Sequence, residues 1–174
     1  NKNQLKKFEK EEIKERNLSK NLVNIIKKIP KKSHPMDVAR TAVSFMGLED
    51  KETSDNSAKA NLRKSMRIFS KTPTALAAFY RSRKGKKIIK PKKNLTFAEN
   101  FFYMCFGKVP NKDIVKAFDV SLILYAEHSF NVSTFTARTI TSSLSDIHGA
   151  ITGAIASLKG PLHGGANEEV MHMM

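Results

Sequence analysis

Two short stretches set proton-handling side chains among apolar neighbours. From Leu122 to Arg138 an apolar run ends in Glu127 and His128, with Asn131 and Ser133 just beyond. From Gly160 to Glu169 the run Gly160-Pro161-Leu162-His163-Gly164-Gly165 puts a histidine on a turn between two helical segments, with Glu168 and Glu169 fitting the first turn of the second. A histidine at a helix N-terminus meets free N–H groups and partial positive charge, which disfavour its protonated form. A neutral imidazole there donates a hydrogen bond to a carbonyl or enol oxygen, and the same end suits anionic ligands. Gly164 and Gly165 permit close backbone approach to a ligand. A structural histidine in a glycine turn is the plain alternative for His163, and a hydrogen-bonded core histidine for His128.

Other chemistry is poorly served. The sequence has no G-x-x-x-x-G-K-[ST], no G-x-G-x-x-G and no H-E-x-x-H. Its five histidines show no familiar metal spacing, and one cysteine, Cys105, cannot complete a zinc site. No metal or cofactor is expected.

The positioning elements read as helix after helix. Leu5 and Phe8 mark an amphipathic segment over about 3–16, and Leu18, Leu22, Ile25, Ile26 and Ile29 another that Pro30 ends. Pro35 opens a third, with Val38, Ala42, Val43 and Met46 on its apolar face and Gly47 as its expected stop. Leu62, Met66 and Phe69 carry a fourth, which Pro73 should kink or interrupt. Thr96 with Glu99 forms a capping-box pattern, Gly107 stops that helix, and Asn111 caps the next. Val120 to Ala126 is apolar nearly all round and is expected to be deeply buried. Ser133 or Thr134 is expected to cap the following helix. Ile147, Ala150, Ile151, Ala154, Ile155 and Leu158 give the cleanest helical period, with Gly149 and Gly153 as a groove for another helix. Period-2 alternation is absent, so the fold is expected to be all-α.

Bulk composition narrows the class. A chain of 174 residues, 40% hydrophobic and 27% charged, suits a globular domain or a little more. One cysteine excludes an intramolecular disulfide and suggests a reducing, cytoplasmic setting. No apolar run approaches 18 residues, so no membrane span is expected. The net charge of +15 invites a nucleic-acid reading. The densest run, Arg81 to Lys93, lacks interleaved aromatic rings, Tyr80 alone bordering it. It reads more simply as a solvated loop, and a basic helical nucleic-acid-binding protein stays as the different-class alternative. The first residue is not Met and the last falls in a helical pattern, so a piece of a longer protein is expected.

The stretches Ala126–Arg138 and Gly160–Glu168, with their histidines 35 residues apart, resemble the citrate synthase superfamily. The runs from His34 to Thr41, Lys71 to Ala77 and Asp119 to His128 resemble its 2-methylcitrate synthase branch. The resemblance covers nearly the whole chain. It implies a multi-helical large domain over 1–163, incomplete at its N-terminal side, and the start of a small domain over 164–174. It implies condensation of an acyl-CoA, propionyl or acetyl, with oxaloacetate, followed by hydrolysis. Coenzyme A enters as substrate rather than cofactor. By the same resemblance His163 is catalytic and bonds the enol oxygen. His128 and Asn131 bind oxaloacetate, and Leu162, Gly164 and Gly165 line the acyl-CoA pocket. The family's aspartate base, a further histidine and the carboxylate-binding arginines would fall after Met174, and Asp119 and Asp146 do not replace the base. A homodimer is implied, with the 120–126 stretch and the small-residue face of 146–158 as interface candidates. The 174 residues alone are expected to be inactive.

Overall fold

The computed structural model describes residues 1–126, 130–165 and 173. Within them each helix starts on a side chain that takes up the unpaired N–H groups of its first turn. Asn1 opens α1 (Lys2–Glu15), Ser19 opens α2 (Lys20–Lys28), and His34 opens α3 (Pro35–Glu49) with Pro35 in the first turn. Ser57 opens α4 (Ala58–Arg83). Thr96 and Glu99 form the expected capping box on α5 (Phe97–Phe106), which Gly107 closes at φ 81°. Asn111 opens α6 (Lys112–Leu124), Asn131 opens α7 (Val132–Ser142), and Asp146 opens α8 (Ile147–Leu158). The fold is all-α: no strand occurs among the described residues.

The core lies where α2, α3 and α4 meet. Leu22, Ile26, Val38, Ala42, Met46, Ala75, Ala78 and Phe79 form one buried cluster, against which Ile88 from the basic loop also packs. Burying each of the larger side chains is worth about 1.5–3 kcal/mol. The helix α4 is central, touching α1, α2, α3, α5 and α8.

Four expectations fail, each for a local reason. Gly47 does not stop α3, which runs on to Glu49 and ends at Asp50. A Cβ on Gly47 would sit 2.9 Å from the Cβ of His148, so the glycine serves the close approach of α8. Pro73 does not interrupt α4. The buried Thr74, Ala75, Ala77, Ala78 and Phe79 hold the second half in register, while the Ser70 and Thr72 hydroxyls donate to Met66 O at 2.8 Å and Ile68 O at 2.6 Å. On the first half of α4 the buried face is Ala60, Lys64 and Ile68, leaving Leu62 and Phe69 outside, although Phe69 stacks on Phe97. Lys64 is 0% exposed because its ammonium donates to Asp55 O at 2.6 Å and Thr53 O at 3.2 Å. Last, the 120–126 stretch is not buried: Ile123 is 68% and Leu124 73% exposed. Apolar periodicity states which surface prefers burial; no described element covers this one.

Candidate functional site

The helices α7 and α8 form an antiparallel hairpin, and that topology builds the site. Gly153 of α8 passes so close to α7 that an added Cβ would lie 2.3 Å from Ile140 Cδ1 and 3.6 Å from Thr136 Cγ2. Gly149, in contrast, faces Ser145 and the cap Asp146 rather than another helix. The small-residue face at Gly153 is therefore filled from within the chain. At about 1.5 Å per residue the two helices have similar length. The N-terminus of α7 is thus brought back beside the C-terminal end of α8, where the Gly160–Gly165 turn begins.

His163 sits in that turn, half-buried, its N–H donating to Gly160 O at 3.0 Å. Its Nε2 accepts the backbone N–H of Ser133 at 3.3 Å and lies 3.1 Å from Ser133 Oγ. The hydroxyl of Ser133 donates to Asn131 Oδ1, which also accepts the Thr134 N–H at 3.1 Å. Asn131, not Ser133 or Thr134, is therefore the cap of α7. An imidazole whose Nε2 accepts an N–H keeps its proton on Nδ1 and is neutral. The expected pairing of histidine with a helix N-terminus is present, but the helix is α7, not the segment after the glycines.

The other candidate residues fall in different ways. Leu162 is 99% exposed beside His163. A Cβ on Gly164 would lie 2.4 Å from Leu158 O, and one on Gly165 3.0 Å from Gly160 O, so both glycines are demanded by the turn's own packing. His128, Glu127, Glu168 and Glu169 lie outside the described residues. Asp146 is spent as the cap of α8, donated to by Gly149 N–H at 3.0 Å, and Asp119 is exposed. Ser133 is the residue the sequence reading missed as a partner of His163; its signal was its place two residues into a helix behind a capping Asn.

A second polar centre lies at the far end of α8. His148 is 2% exposed, with Nε2 3.5 Å from Asp50 Oδ2 and Nδ1 3.6 Å from Asp146 Oδ1. Burial holds its pKa below the ordinary value, partly offset by the two carboxylates. Burial pushes the Asp50 carboxyl up, but Arg67, donating at 2.7 and 2.9 Å, and the Glu52 N–H bring it below its ordinary value. Arg63 and Arg67 hold Glu52 down to about 2. A cavity of about 470 Å³ opens there, lined by Asp50, Arg67, Lys71 and His148 among others, and it does not reach His163. Among the described residues no cluster of His, Cys, Asp or Glu could hold a metal.

The basic run is partly spent inside the fold. Arg81 donates to Lys87 O and to Cys105 O, while Arg83, Lys84 and Lys92 lie over the rings of Phe79, Tyr80 and Tyr103. Burial pushes the Cys105 thiol up to about 11, which makes it unreactive. No helix among the described residues is long and apolar enough to cross a membrane.

Comparison with known proteins supplies the rest. The family model described as citrate synthase, C-terminal domain, matches residues 1–174. A citrate synthase of Mycolicibacterium smegmatis is 50% identical over 171 residues, covering 98% of this chain and 46% of that protein. A 2-methylcitrate synthase of Mycobacterium tuberculosis is 50% identical over 167 residues, covering 96% and 42%. The crystal structure of citrate synthase from Pyrobaculum aerophilum superposes with a TM-score of 0.89 at 34% identity, covering 97% of this chain and 44% of that one. A citrate synthase from Thermoplasma acidophilum, described as a ternary complex with carboxymethyl coenzyme A and oxaloacetate, superposes with a TM-score of 0.90 at 27% identity, covering 97% of this chain and 44% of that one. The chain spans less than half the length of these relatives.

Proposed function

Because the chain belongs to the citrate synthase family, we propose that it is part of an enzyme that condenses an acyl-CoA with oxaloacetate, with propionyl-CoA as the acyl donor and 2-methylcitrate as the product. The observation that carries this reading is the His163 ring, held by Ser133 N–H at the start of α7 with Nε2 accepting. That leaves Nδ1–H as the donor toward a developing enol oxygen. His128 and Asn131 grip oxaloacetate in this reading, His128 polarising its carbonyl. Leu162, Gly164 and Gly165 form a wall for the thioester.

A carboxylate outside these 174 residues removes the proton alpha to the thioester. The enol carbon then bonds to the oxaloacetate carbonyl carbon, whose oxygen gains a proton. Water cleaves the thioester and releases coenzyme A. The 174 residues alone would not turn over, and two copies of the full-length protein would assemble. Coenzyme A is a substrate here, and the location is cytoplasmic.

The acyl chain rests on likeness to the 2-methylcitrate branch, and relatives of equal identity bear both names. Feeding propionyl-CoA and acetyl-CoA separately to the full-length protein decides it. A higher kcat/KM with propionyl-CoA is expected. A clear preference for acetyl-CoA would make it a citrate synthase, and no condensation with either would sink the whole reading.

A further inference from the structure

The helix α8 runs antiparallel to α3 and is pinned to it at both ends. At its N-terminal end His148 packs on Gly47 and faces Asp50. At its C-terminal end Lys159 donates to both Asp37 oxygens, at 2.7 and 3.0 Å. The first pin is buried. The second is partly exposed, at 38% for the Lys159 side chain and 30% for Asp37, and Arg40 also reaches Asp37 at 3.1 Å. Lys159 is the cap residue at which α8 ends, and the turn carrying His163 starts at the next position, its Gly160 carbonyl accepting from His163 and Gly165.

We propose that Asp37 and Lys159 are positioning residues for His163: their ion pair fixes where α8 ends on α3, and hence where the His163 ring meets Ser133 at the start of α7. This rests on the reaction proposed above. Neither residue touches a reacting atom; they act through the turn. The Lys159 hydrogen bond holds the Asp37 carboxyl below its usual range. An exposed ion pair adds little to global stability. A small displacement of a catalytic group, however, is costly in rate, so the two effects separate.

The test uses Asp37→Asn, Lys159→Gln and Lys159→Arg in the full-length protein. Each of the first two should lower kcat about three- to tenfold. The oxaloacetate KM should move less than about twofold, and the melting temperature under about 3 °C. Lys159→Arg, which keeps the charge and a donor, should restore kcat to within about twofold of wild type. The double variant Asp37→Asn with Lys159→Gln should be no slower than either single one. An unchanged kcat in the single variants, or Lys159→Arg as slow as Lys159→Gln, overturns the proposal. If the wild type condenses nothing, the proposed reaction falls instead. The positioning claim is then read from the His163 ring nitrogens by ¹⁵N NMR of the full-length protein. Asp37→Asn should weaken the acceptor signature at Nε2, and an unaltered signature overturns the claim.

Discussion

The α2–α3–α4 junction and the α6–α7 region start from similar apolar sequence and end differently. Leu22, Ile26, Val43 and Phe79 are shut away, whereas Ile123, Leu124, Phe130 and Phe135 face outward. In the first region side chains are fixed by packing on several helices at once. In the second, order comes from caps and close approaches: Asn131 on α7, Gly153 against Ile140, and Ser133 on His163. The chemistry proposed above sits in the second region. Its geometry therefore depends on a few polar contacts and glycines, and mutations there should alter rate more than stability.

The contrast can be broken in several places. Phe79→Ala, in the middle of the packed junction, should cost about 3–5 kcal/mol in a urea melt; a loss below about 1 kcal/mol would mean that this junction is not the core. His163→Gln in the full-length protein should lower kcat by about 10²–10³, roughly 2.7–4 kcal/mol of barrier, at nearly unchanged stability. A variant that unfolds in proportion to its lost rate would make His163 structural. Gly47→Ala should cost about 1–3 kcal/mol, because the His148 Cβ at 2.9 Å cannot swing aside as a chain end does; a neutral result would show α3 and α8 to be looser than described.

Acid should find the buried end of α8 first. His148 is held below the ordinary 6.5 in the folded chain, so the unfolded chain takes up its proton at higher pH. Stability is then full above about pH 6.5 and falls as pH drops toward the depressed folded value, at no more than about 1.4 kcal/mol per pH unit. Asp50, held below its ordinary 3.8, adds a loss further down, as pH passes through its folded value. Urea melts across this range should show the first decline in wild type and lose it in His148→Gln; a decline kept by that variant assigns it to another group. The smallest effect is Ile123→Ser, on the outward face of α6, expected within about 0.5 kcal/mol of wild type in this chain. A large loss there would mean that α6 is buried after all.

Local chemistry made much of this legible. Ser, Thr, Asn and Asp ahead of apolar periods mark helix starts, and the Thr96–Glu99 box and the Gly107 stop follow from backbone sterics and unpaired N–H groups alone. What the sequence could not supply depends on the partner across a contact. Gly47 reads as a stop until His148 is seen against it, and Leu62 reads as core until Lys64 is seen donating into the 53–55 loop. Similarly, His163 was visible as a histidine suited to a helix N-terminus. Which helix supplied that end, and that Ser133 was the donor, required the turn of the α7–α8 hairpin.

The central claim is that α7 holds His163 as a neutral ring with Nε2 accepting and Nδ1 free to donate. Long-range ¹H–¹⁵N NMR of the His163 imidazole at neutral pH tests it most directly. The expected result is a protonated Nδ1 and an unprotonated Nε2, with Ser133→Pro, which removes the donating N–H, abolishing the preference. A ring protonated at Nε2, or charged at both nitrogens, would contradict the account.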